Sequence, residues 1–156
     1  MRVRELMTPS PRTCSVDDSA DAAARIMWDC DCGVVPVIDS KGAVCGIVTD
    51  RDLCMAAYIQ GARLADIPVW SVMSREVHAC EADADVREAE RLMRECQIRR
   101  LPVVDNGGGL VGVLSLGDVA QAVSKGTVVR QAGGEGAEFM QTVASVSEPR
   151  RALRAS

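Results

Sequence analysis

The chain has 156 residues, 47% of them hydrophobic and 26% charged, the composition of a globular protein with room for one substantial core. Its 18 basic and 22 acidic residues leave a formal charge of −4, which argues against a general nucleic-acid binder, since a basic face would have to offset these carboxylates. No apolar run approaches membrane-spanning length and no signal-type apolar core follows Met1-Arg2-Val3-Arg4-Glu5, so the expected location is the cytoplasm without membrane contact.

Taken in chain order, Thr13–Val16 reads as a short extended segment. Asp17-Asp18-Ser19 then offers N-caps for a helix expected to run to about Asp31, with Ala20, Ala23, Met27 and Cys30 as its apolar stripe. Two β-rich runs follow, Val34–Ile38 and Val44–Val48, separated by the turn-forming Asp39-Ser40-Lys41-Gly42. Thr49-Asp50 caps a second helix over Arg51–Gln60.

The same series then begins again. Moving Val3–Ala56 forward by 66 positions lays it on Val69–Ala122 without a gap, placing Met7 on Met73, Cys14 on Cys80, Asp17 on Asp83, Met27 on Met93 and Asp52 on Asp118. The second stripe is Val86, Ala89, Met93 and Cys96, the second turn Asp105-Asn106-Gly107-Gly108, and the last helix Leu116–Ser124, capped by Ser115. Each copy is thus β-α-β-β-α. Two copies are too few for a solenoid and suggest a pseudo-twofold pair. The expected division is residues 1–62, 63–126 and a tail of 127–156. In that tail a Gly-rich hinge precedes Phe139, Met140, Val143 and Val146, which fall on one helical face.

These residues resemble a known family. The "Leu-Met-Thr" and "Val-Met-Ser" openings, the apolar-Pro-Val-Ile/Val-Asp strand, and the Gly-Ile-Val-Thr-Asp-Arg-Asp and Gly-Val-Leu-Ser-Leu-Gly-Asp endings resemble the CBS domain, named after cystathionine β-synthase, over roughly residues 3–124. The resemblance implies an α/β (α+β) fold of two tandem repeats in a Bateman-type pair with two ligand clefts. It also implies a regulatory adenosine ligand whose binding is reported to an attached enzyme or channel.

The chemistry of the ending stands beside that resemblance. A hydroxyl at a strand tip and the amides of the helix it begins can form an anion site. A carboxylate three residues further, Asp52 or Asp118, can accept both hydroxyls of a ribose. The alternative is that Thr49 and Ser115 only cap helices while the aspartates favour the positive helix end. Before its proline the second copy carries Arg99 and Arg100 where the first has Gly33 and Val34. Arginine suits bidentate phosphate contact, although the pair also reads as solvated arginines at a strand start. By resemblance, Ser115 and Asp118 would face Thr8, Ser10, Arg12, Gly33 and Arg100, and Thr49 and Asp52 would face His78, Ile98 and Arg99.

Other chemistry is weaker. Cys30-Asp31-Cys32 lacks a second pair at zinc-type spacing, and with His78 as the sole histidine no metal site is expected. The seven cysteines lack the spacing of a disulfide framework, and Cys14, Cys80, Cys30 and Cys96 read as small core residues. His78 reads as a strand residue, and no catalytic constellation is present, so the expectation is a non-enzyme. The expected function is a stand-alone module that binds AMP, ADP or ATP, with S-adenosylmethionine and NAD behind them and no obligatory cofactor, and that signals to a separate effector protein. The alternative is a nucleotide-free interaction or stress-response protein using the fold as a dimeric scaffold. A homodimer is expected through Leu53, Ala56 and Ala57 and through Val119, Ala122 and Val123, taken as an exposed apolar patch.

Overall fold

In the computed structural model of the protein, the described residues are 1–124 together with Phe139, Thr142, Val143 and Ser145. The elements are β1 (Thr8–Pro9), β2 (Cys14–Ser15), α1 (Ala20–Asp29), β3 (Val34–Ile38), β4 (Val44–Thr49), α2 (Asp50–Gln60), β5 (Cys80–Glu81), α3 (Val86–Cys96), β6 (Arg100–Val104), β7 (Leu110–Ser115) and α4 (Leu116–Ser124). Both copies therefore carry the expected β-α-β-β-α order in a mixed α+β fold. No helix among the described residues is long and apolar enough to cross a membrane.

Local chemistry explains the element ends. Ser19 caps α1 by accepting from the Ala22 amide at 3.4 Å, and Asp85 caps α3 by accepting from the Arg87 amide at 3.0 Å. The latter bond, given by the backbone, holds the Asp85 carboxyl below its ordinary pKa. Helix α1 stops at Asp29, two residues before the expected end, because Asp31 takes φ 48° and turns the chain out of the helix. In the hairpins, one Asp39 oxygen accepts from the Lys41 and Ala43 amides and Asp105 does the same for Gly107 and Gly109. Gly42 and Gly108 both sit at φ 80°, where a side chain would be strained.

The chain divides into two compact units that do not follow the order of the sequence. One comprises Met1–Pro9, His78–Val103 and the described residues from Gly112 onward; the other comprises Ser10–Val77 and Val104–Val111. In the first unit the opening segment of the chain packs on the second repeat. The Val3 amide donates to the Ala84 carbonyl at 3.0 Å, the Arg4 amide to Ala82 at 2.9 Å, and β1 pairs antiparallel with β7 through Thr8 and Val113. The sheet runs β1-β7-β6-β5. In the other unit the corresponding segment packs on the first repeat: the Val69 amide donates to Asp18 at 2.8 Å, and Ser74 bridges Ile47 beside the sheet β2-β3-β4.

Each opening methionine has a glycine beneath it. A Cβ on Gly112 would strike the Met7 side chain and come within 3.0 Å of the Thr8 carbonyl oxygen. A Cβ on Gly46 would strike Met73 and come within 3.2 Å of the Ser74 carbonyl oxygen. The Met and Gly motifs thus belong together physically, each methionine filling the space its glycine leaves.

The core of one unit gathers Cys14, Ala20, Ala23, Met27, Val35, Val37, Val48, Leu53, Ala56, Ile67 and Val69. Cys14 and Cys80 are buried as expected, and desolvation pushes each thiol up to about 11. Cys30 is not a core residue: it follows the end of α1 and is exposed. The expected apolar patch is corrected as well. Leu53, Ala56, Val119 and Ala122 are buried, because the period of a helix defines a stripe without saying which side meets solvent. The exposed apolar side chains of α1 and α2 are Trp28, Met55, Tyr58 and Ile59. Of the expected tail stripe, Phe139 and Val143 are helical and half-buried, while Met140 and Val146 lie outside the described residues.

Candidate functional site

Strand β4 runs into α2 at Thr49, and strand β7 into α4 at Ser115. At the first junction one oxygen of Asp52, Oδ2, accepts from the Thr49 amide at 2.8 Å and from the Thr49 hydroxyl at 2.7 Å, and the Asp52 amide donates back to that hydroxyl at 3.3 Å. The second junction repeats this, with 2.7, 2.6 and 3.2 Å for Ser115 and Asp118. This is a reciprocal capping box. The hydroxyl is therefore turned toward the carboxylate, and Oδ1 of each aspartate has no donor among the described residues. Capping and ligand contact need not compete, because they call on different oxygens.

The amides of the first helical turn are less free than the sequence suggests. The Asp50 amide donates to the Gly33 carbonyl at 3.4 Å and the Leu116 amide to the Arg99 carbonyl at 2.8 Å, which ties each turn to the segment before the proline strand. Beyond that point the two turns differ. The Arg51 amide is taken by the Asp50 carboxylate at 2.8 Å, whereas the corresponding Gly117 amide, next to Leu116, has no acceptor among the described residues. The first turn thus supplies its own anion, and the second leaves one amide open.

The remaining expected site residues divide between the units. Thr8, His78, Ile98, Arg99, Arg100, Ser115 and Asp118 belong to one; Ser10, Arg12, Gly33, Thr49 and Asp52 belong to the other. Arg100 opens β6 and is half-buried, while Arg99 precedes it and is exposed. Through the Arg99 carbonyl this cationic pair is anchored to the Ser115 turn, and Gly33 is anchored to the Thr49 turn in the same way. Ser10 adopts φ 49° and its amide donates to Val111 at 3.0 Å. Arg12 is engaged with Asp29 at 3.4 Å, an exposed pair. His78 lies in the irregular segment before β5, not in a strand. Sequence reasoning missed the Asp50 contact; its signal was the mismatch of Asp50 with Leu116 inside otherwise matching turns.

The chain matches the CBS domain family over residues 3–58 and 66–125, and it belongs to that family. The CBS domain-containing protein YhcV of Bacillus subtilis is 37% identical over 118 residues, covering 76% of this chain and 82% of that one. Among solved structures, the CBS-domain containing protein ATU1752 from Agrobacterium tumefaciens is 32% identical with a TM-score of 0.71, over 79% of this chain and 99% of that one. CBSX2, solved in complex with AMP, is 28% identical with a TM-score of 0.68, over 80% and 96%.

Proposed function

We propose that this is a stand-alone CBS-pair regulatory protein, without enzymatic activity, that binds an adenine nucleotide of the AMP, ADP or ATP type. Its division into repeats at 1–62 and 63–126 with a tail of 127–156, a cytoplasmic location, assembly as a homodimer and output to a separate effector protein belong to the same reading. The observation that carries it is the hydroxyl–carboxylate turn present in both repeats, with Asp52 and Asp118 each keeping one oxygen for ribose hydroxyls. The AMP complex of CBSX2, a relative of similar extent, supports the choice of ligand class.

The Ser115 and Asp118 turn is the one expected to take a phosphorylated nucleotide first. In its favour are the open Gly117 amide and the arginine pair anchored beside it, against a Thr49 turn whose next amide already holds the Asp50 carboxylate. Thr8, Ser10, Arg12 and Gly33 complete the first set, and His78, Ile98 and Arg99 the second. Calorimetry with AMP and adenosine on Arg100→Ala tests it. AMP should weaken by about 1.5–3 kcal/mol and adenosine far less, since charge-assisted contacts are the stronger kind. Equal losses for both ligands would remove Arg100 from the phosphate site.

A further inference from the structure

The ligand reading makes no use of Cys30 and Cys32, which flank the turn that ends α1. The helix stops at Asp29, Cys30 follows it, and Asp31 at φ 48° reverses the chain so that the Cys32 amide donates back to the Met27 carbonyl at 3.0 Å. Two residues of extended chain span at most about 7 Å, and a turn shortens that toward the roughly 4.4–6.8 Å between the α-carbons of a disulfide. Cys30 is exposed, and half-buried Cys32 donates its thiol to the Val34 carbonyl at 3.4 Å, a weak bond that is readily given up.

A cation stands at the exposed thiol. Arg12 pairs with the Asp29 carboxylate at 3.4 Å and also hydrogen-bonds the Cys30 side chain, and the bond to Cys30, ahead of the contact with Asp29, raises the pKa of the guanidinium. A guanidinium beside a sulfur favours the reacting thiolate and can donate to the oxygen that leaves a peroxide. The second repeat lacks this arrangement. Cys96 keeps the first thiol, but Ile98 replaces Cys32, His78 replaces Arg12, and Glu95, in the place of Asp29, pairs with Arg91 at 3.3 Å. Of the other cysteines, Cys14 and Cys80 are buried, and exposed Cys54 has no second cysteine near it in sequence.

We infer that Cys30 and Cys32 form a peroxide-reactive dithiol, a modification site that takes a hydroperoxide and closes to a disulfide across one turn of chain. This goes beyond the nucleotide reading and does not depend on it. First the Cys30 thiolate attacks one peroxide oxygen: an S–O bond forms, the O–O bond breaks, and the sulfur gives up two electrons to become a sulfenic acid. The other oxygen leaves with Arg12 as donor and takes up the proton lost from the thiol. Then the Cys32 sulfur attacks the Cys30 sulfur, the S–S bond forms, the S–O bond breaks, and hydroxide leaves with the Cys32 proton as water. Two thiols and one hydroperoxide thus give a disulfide, an alcohol and water, with water in place of the alcohol when the oxidant is hydrogen peroxide.

The test treats the full chain with stoichiometric hydrogen peroxide, blocks the remaining thiols with iodoacetamide and maps the tryptic peptides. Cys30 and Cys32 share the peptide of residues 26–41, which holds no other cysteine. That peptide should be recovered unalkylated and lighter by two hydrogens, and a dithiol reductant should restore both alkylation sites. Cys32→Ser should stop at a Cys30 sulfenic acid that dimedone captures, and Cys30→Ser should leave Cys32 reduced. Arg12→Ala should slow the oxidation of Cys30 severalfold with the circular dichroism melt retained, while Cys54 and Cys96 stay alkylated throughout. Cys30 reacting while Cys32 remains alkylated, a disulfide to any other cysteine or to another chain, or Cys54 or Cys96 oxidised as fast as Cys30 overturns the pair. An Arg12→Ala rate equal to the parent's overturns the part given to the arginine.

Discussion

The two repeats share a backbone plan to the level of single hydrogen bonds, yet they carry different chemistry on it. Both junctions have the same capping box, both hairpins the same aspartate, both opening segments a methionine over a glycine. The differences fall where the fold is indifferent: Asp50 against Leu116 in the helical turn, Gly33 and Val34 against Arg99 and Arg100 before the proline, Trp28 against Arg94 on the outer helix face. The shared contacts close the structure, and the differing residues lie in the candidate turns and on the outer helix face.

The largest expected effect tests the shared part. Cys14 and Cys80, one in each unit, are buried thiols raised from about 9 to about 11 by desolvation. A pKa raised in the folded state gives stability that is fully present below the unfolded value and is lost as pH rises through the folded one. Each thiol should therefore cost about 2–3 kcal/mol between roughly pH 9 and 11. Urea unfolding across that range, parent against Cys14→Ala and Cys80→Ala, checks it; parallel pH profiles for parent and variants would contradict it.

A comparable effect tests the ligand turns. Asp118→Ala should weaken AMP by about 1.5–3 kcal/mol and also lower stability by about 1 kcal/mol through the lost cap. Asp52→Ala should show the same stability loss with a smaller effect on AMP. Equal AMP losses would erase the proposed ranking of the two turns.

Steric equivalence of the glycines comes next. Gly112→Ala and Gly46→Ala should each destabilise by about 1–3 kcal/mol, since the added methyl meets Met7 or Met73 and the neighbouring carbonyl. The two should agree closely in denaturant midpoint, and a neutral result at either would show that its methionine is free to move aside.

The smallest effect isolates one charge. Asp50→Leu, copying Leu116, should improve AMP binding in an Asp118→Ala background by about 0.3–1 kcal/mol, because a carboxylate is removed from a helix start that a phosphate could then approach. No gain by calorimetry would mean that Asp50 does not set the difference between the turns.

Much of this was legible in the sequence because it is local. The hairpin turn around Asp39 and Gly42, the Thr49–Asp52 box, and the strands that begin at Val34 and Val44 are specified by residues within a few positions of one another. The site was legible as residue types at a spacing, and the spacing does bring each hydroxyl onto its aspartate. What spacing could not convey was that Asp50 would turn back onto the Arg51 amide, since the same pattern allows that carboxylate to face solvent. Nor did helical periodicity reveal that Leu53 and Ala56 face the core while Trp28, Tyr58 and Ile59 face out.

By itself the sequence determined two β-α-β-β-α units of the CBS family, their turns and their caps, because each of these is settled by hydrogen bonds and side-chain periods that close over short stretches of chain. Only the tertiary structure decided that Val3–Pro9 joins the sheet of the second repeat while Val69–Ser74 joins the first, and that Thr142 settles on Arg94. Such pairings join residues far apart in the chain, and no local preference of Met7 or Thr142 names a partner. They are chosen by which distant surface has the room and the unpaired groups to receive them.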